Sequence, residues 1–194
     1  MWHARSASAG QAKSRGYLLT YSDLAQTYGR RIDQLLSVSS GRSRRRQQQE
    51  LSRKVELWVE AIQTVVGRLD QLYRDELLET EMVQVPLAIE DLKRRLSCES
   101  NDNLRPHLQR TLLGRQTQIA SLDQLQTIAG QAEVRIEHTL SLLGTIHSQL
   151  LVGESSNQVA NYERLCADVD EEVNCLQDHL EAIREVKQGL PAPS

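Results

Sequence analysis

The sequence predicts an all-α protein: an antiparallel helical bundle of about four helices, with a long two-helix coiled-coil hairpin projecting from it. Three observations carry this expectation. Apolar residues recur at steps of three and four over most of the chain. The composition is rich in Leu and Gln, with 29 and 19 in 194 residues, while aromatics make up only 4% and Phe is absent. Sheet proteins favour the aromatic and β-branched residues that are scarce here. Finally, two central segments of nearly equal length, 46–97 and 103–152, flank a short polar turn, and folding one back on the other is the economical arrangement.

The length suits a single domain, expected over 17–188 with a hairpin arm at about 77–121. Residues 1–16 are Ser/Ala-rich, basic and free of acids. A targeting segment has that composition, and so has a disordered tail; the tail is the preferred reading. Residues 189–194, with Gly189, Pro191 and Pro193, form a second tail.

Each element has its own signature. The first helix, about 18–38, has the stripe Tyr21, Leu24, Tyr28, Ile32, Leu35 and Val38, and stops at Ser39-Ser40-Gly41. The second segment has Leu51, Val55, Trp58, Ile62, Val65, Leu69 and Leu72 in unbroken register. The pattern loosens at 79–81 and resumes with Val85, Ile89, Leu92 and Leu96. Pro86 lies inside it, and a helix-interior proline costs about 3 kcal/mol. This segment is either one helix kinked near Pro86 or two helices broken near residue 80. The turn at 97–103 makes Asp102 the expected N-cap of the next helix. That helix carries the clearest heptads: Leu122, Ala129, Ile136, Leu143 and Leu150, with Leu125, Ala132, Thr139 and Ile146 between them. Nearer the turn, Arg115 and Gln118 occupy core-type positions. The last helix, capped by Ser155-Ser156-Asn157, has the stripe Tyr162, Cys166, Val169, Val173, Leu176, Leu180 and Ile183.

Net charge is −3, but it is unevenly spread. Residues 1–50 carry nine Lys/Arg against three Asp/Glu, whereas 154–188 carry three against nine. The simplest reading sets the basic first helix beside the acidic last one. No stretch approaches the roughly 18 apolar residues of a membrane span. Three cysteines without a CxxC, and no secretory apolar region, suggest a cytoplasmic protein.

Chemical motifs are scarce. His138, Cys175 and His179 can be drawn as a metal site, with Glu171 and Glu172 one turn before Cys175. However, structural zinc uses four ligands in tighter paired spacing, and no histidine stands in a Glu-x-x-His motif. A small core cysteine and a boundary histidine are the plainer account. No nucleophile elbow, phosphate-binding loop or dinucleotide fingerprint occurs. The expectation is therefore no enzyme, no cofactor and no metal. Gly130 and Gly144 lie beside the heptad seam, where they either allow a close helix crossing or mark flexible points; close packing is the plainer account.

The sequence of 133–153, EVRIEHTLSLLGTIHSQLLVG, followed by DVDEEVNCLQDHLEAIREV at 168–186, resembles helical segments of uncharacterised bacterial coiled-coil proteins. PLAIEDLKRRL and LQRTLLGR, before and after the turn, echo the same resemblance. It covers about the last third of the chain. It implies a bacterial cytoplasmic setting and brings no activity, cofactor or ligand with it.

The functional expectation is a scaffold or adaptor that binds a protein partner, or a second copy, through helix faces. The arm residues Val83, Val85, Ile89, Leu92, Leu108 and Leu112 are its candidate contacts, and the plainer alternative is that they pair with one another. A rival reading docks Arg30, Arg31, Arg42, Arg44, Arg45 and Arg46 on an anionic membrane surface. A nucleic-acid role for the same arginines is disfavoured by the acidic net charge and by the absence of interleaved aromatics.

Overall fold

The computed structural model describes residues 3–38, 45–152 and 158–189. They form five packed α-helices: α1 (His3–Val38), α2 (Arg45–Tyr73), α3 (Glu76–Cys98), α4 (Arg105–Val152) and α5 (Gln158–Gly189). No strand occurs among the described residues.

The 48-residue α4 organises the molecule. It packs against α5, α1 and α3, while α2 packs against α1 and α5. Pairs across the helices fix their directions. Ser52 on α2 donates to Asp33 on α1 at 2.6 Å and Gly29 on α1 lies against Val59 on α2, so these two run antiparallel. Tyr21 donates to Glu137 and Tyr28 lies over Gly144, so α1 runs parallel to α4. Lys54 meets Asp170 and Asp75 meets Lys187, so α2 runs parallel to α5.

Among the described residues the main core comprises 23 buried side chains from α1, α2, α4 and α5. On α2 it takes six of the seven expected stripe positions, with Leu51 partly buried beside it. On α4 it takes Leu125, Ala129, Ala132, Ile136, Leu143 and Ile146 from the heptad seam. On α1 the buried line is Leu18, Ala25, Ile32 and Leu36 rather than one through Leu24 and Leu35. Tyr21 and Tyr28 stand at the edge of this core, near Glu137 and His147 on α4. The helix is thereby rotated about one residue from the expected stripe, and Ala25 lies at its centre.

Four sequence expectations change. The break after α2 falls at Arg74-Asp75, not near residue 80, and Pro86 lies inside α3. Asp75 makes that break: its side chain caps α3 by accepting from the Leu78 N–H, and its backbone is extended. Asp102 does not cap α4. The Asn101 carbonyl takes the N–H groups of Leu104 and Arg105, while the Asn101 side chain accepts from Asn103 N at 3.0 Å. Third, α1 starts at His3, so 3–16 continue the helix; Ala4, Ala7, Ala9 and Ala12 favour it, since alanine has the highest helix propensity. Fourth, α1 and α5 are not neighbours, because each packs on α2 and α4. The apolar stripes of the two long helices decide this packing, and the opposite charges of the termini do not override it.

Candidate interaction surfaces

A second, smaller cluster lies between α3 and α4. Val85, Ile89 and Leu122 form it, with Leu78, Met82, Leu112 and Ile119 packed around them. Leu78 also touches the main core and so links the two clusters. Beside this cluster, Gln118 is buried and accepts a hydrogen bond from Arg115 at 2.8 Å. The polar residues that thin the heptads here satisfy each other.

This geometry revises the expected arm contacts. Val85, Ile89, Leu92 and Leu108 are buried, and Leu112 is half-buried. They are covered within the folded chain, Val85, Ile89 and Leu112 in the cluster between α3 and α4. Of the six, Val83 alone is exposed, at 38%. The most open apolar side chains of the hairpin are instead Leu87, at 60%, and Leu113, at 65%, followed by Leu77 and Leu104. Leu87 and Leu113 lie off the apolar stripe, which is why a search for stripe positions passes over them. A leucine out of register with its helix was the available signal.

The described residues cover only part of the arginine group. Arg42 and Arg44 lie outside the described residues, and so does the side chain of Arg45. Arg31 and Arg46 are exposed. Arg30 donates to the Gln26 carbonyl at 3.3 Å. It lines an open groove of about 460 Å³ between α1 and α2, together with Asp33, Glu56 and Glu60. Three carboxylates around one guanidinium make this groove unsuited to phosphate or anionic lipid.

Polar clamps tie the helices together. Asp170 on α5 takes the Trp58 indole N–H at 2.8 Å and the Lys54 ammonium at 2.6 Å. The hydrogen bond to Asp170 raises the Lys54 pKa above its ordinary value against the opposing effect of burial. Burial likewise pushes the nearby Cys166 thiol up, which makes it a poor nucleophile at neutral pH. Asp75 receives Lys187 at 2.7 Å, which holds its carboxyl below the usual range with help from the Leu78 N–H. Burial raises the Tyr21 pKa, and the bond to Glu137 raises it further. Glu172 binds Arg135 at 2.9 Å and His138 at 3.2 Å.

The residues drawn as a metal site are engaged elsewhere. His138 faces Glu172, and His179 donates Nδ1–H to the Cys175 carbonyl at 2.6 Å. Among the described residues no group of three His, Cys, Asp or Glu side chains is placed to hold a metal ion. Among them too, no helix is long and apolar enough to cross a membrane. Comparison with protein-family models, curated proteins and solved structures finds no match to the chain.

Proposed function

We propose that the chain is a non-enzymatic helical interaction module, a scaffold or adaptor. In this reading α1, α2, α4 and α5 form a four-helix bundle, and α3 with the first turns of α4 projects from it as an arm. The observation that supports it most is the separate apolar cluster between α3 and α4. A hairpin held by its own core can present its outer faces without unfolding the bundle. On α3, Val83 and Leu87 stand one helical turn apart and exposed, a spacing suited to contact along a helix face. The register of α5 on α4 gives the arm a reach. Arg135 lies level with Glu172, so α5 ends near the level of residue 120. The roughly fifteen residues of α4 before that level extend about 22 Å at 1.5 Å per residue. We place the protein in a reducing compartment, in keeping with three free cysteines.

The test compares the full-length protein with a Val83→Glu, Leu87→Glu, Leu113→Glu variant in cross-linking and affinity capture from its own cells. Loss of a stoichiometric partner, with helicity and melting temperature unchanged, is the expected result. An unchanged set of partners would remove the exposed hairpin face from the mechanism.

A further inference from the structure

The packing leaves a charge imbalance unresolved within one chain. The acidic α5 is not covered by the basic α1. Glu171, Asp178 and Glu185 fall every seven residues and are all exposed, so they form a line along the outer side of α5, with Glu181 beside them. The described residues place no ion pair on any of these four. At the far end of the molecule the charge is opposite. Residues 90–110 hold five Lys/Arg against four Asp/Glu, a small positive excess. Lys93 and Arg94 pair locally with Glu90 and Asp91. Arg95, Arg105 and Arg110 are exposed with no carboxylate partner among the described residues. The Glu99 carboxylate is turned onto the Asn101 N–H and helps shape the loop.

We propose that the basic hairpin tip docks on the acidic line of α5 in a second copy of this chain. An arm reaching about 22 Å beyond the end of α5 is long enough to bring its tip alongside the acidic line of another copy, whose fourteen helical steps from Glu171 to Glu185 span about 21 Å. In a two-fold arrangement each chain supplies one tip and one acidic line, so both patches are used twice and the assembly closes as a dimer. The acidic line of α5 attracts the arginine tip and repels nucleic acid or an anionic membrane, so both patches are used only with a second copy. Charge complementarity also predicts the salt response, since the screening length falls to about 3 Å at 1 M salt. The inference rests on the interaction-module reading and names one partner within it.

The experiment is sedimentation velocity of the full-length chain at low and at about 1 M salt, with two charge-reversed variants. One carries Arg95→Glu, Arg105→Glu and Arg110→Glu; the other carries Glu171→Lys, Asp178→Lys and Glu185→Lys. The wild type is expected to be a dimer at low salt and a 22.0 kDa monomer at high salt. Each variant alone is expected to be monomeric, and an equal mixture of the two is expected to associate again. Circular dichroism checks that both fold, and neutral versions of the same six changes replace any variant that does not. A monomeric wild type at low salt, a variant that still dimerises, or a mixture that stays apart would overturn the proposal. A monomer that binds phosphatidylserine vesicles or duplex DNA through the tip would overturn it in favour of that partner. The broader reading fails separately, on the Val83, Leu87 and Leu113 variant.

Discussion

At the scale of single residues, the clearest case is Trp58, whose indole is 2% exposed yet carries a donor. Asp170 satisfies it and also binds Lys54, whose side chain is a third exposed. The two partners are unequal in worth. A partly exposed ion pair contributes up to about 1 kcal/mol, whereas a buried donor left without an acceptor costs about 1–3 kcal/mol. Asp170→Ala is therefore expected to destabilise more than Asp170→Asn, because the amide oxygen can still accept from the indole. Urea unfolding followed by tryptophan fluorescence measures the difference; equal losses would assign the whole effect to the ion pair. Two glycines on neighbouring helices give a second residue-scale test. A methyl at Gly67 meets nothing within 4 Å, while one at Gly29 lands 3.0 Å from a Val59 methyl. Gly67→Ala should gain about 1 kcal/mol of helix propensity, and Gly29→Ala should gain less in the same melts.

At the scale of elements, the break between α2 and α3 depends on Asp75, which caps α3 and receives Lys187 from the end of α5. Its pKa is depressed from an ordinary 3.8. A carboxyl with a lowered folded pKa contributes stability above its unfolded value and loses it as pH falls through the folded value. The loss should therefore appear below pH 3.8 and be blunted in Asp75→Asn, where an uncharged side chain still caps the helix. Asp75→Ala should cost about 1 kcal/mol at neutral pH through the lost cap. Thermal melts between pH 2.5 and 7 read both effects, and a wild-type acid response shared by Asp75→Asn would remove Asp75 as its source. The same elements show what the sequence made legible. The helix α2 and residues 122–150 of α4 could be read because their apolar steps repeat in sustained register. The break at Asp75 could not, because a single aspartate after Arg74 resembles any other surface carboxylate until Lys187 and Leu78 are seen around it. The burial of the candidate arm contacts follows from the same periodicity: it identifies covered positions such as Ile89 and Leu108, whereas the exposed Leu87 falls outside the period.

At the scale of the molecule, α4 runs through both apolar clusters, so the question is whether they unfold together. The main core holds 23 buried residues and the hairpin cluster three. Contact between them passes through the partly buried Leu78. Local opening costs less free energy where fewer apolar contacts are lost, so the hairpin should open while the bundle stays folded. Truncating a buried isoleucine to alanine costs about 2–5 kcal/mol, and where that cost is felt depends on the cluster. Ile89→Ala should speed amide exchange across α3 and residues 105–119, leaving the exchange of α2, α5 and residues 125–146 unchanged. Ile136→Ala should lower protection throughout, because the hairpin has no bundle to anchor it once the main core is lost. Hydrogen exchange read by mass spectrometry separates these patterns. If Ile89→Ala lowered protection in α5 as much as in α3, the two clusters would form one cooperative unit. The α3 hairpin would then have no opening of its own, and the single residue Leu78 shared by the two clusters would suffice to couple them.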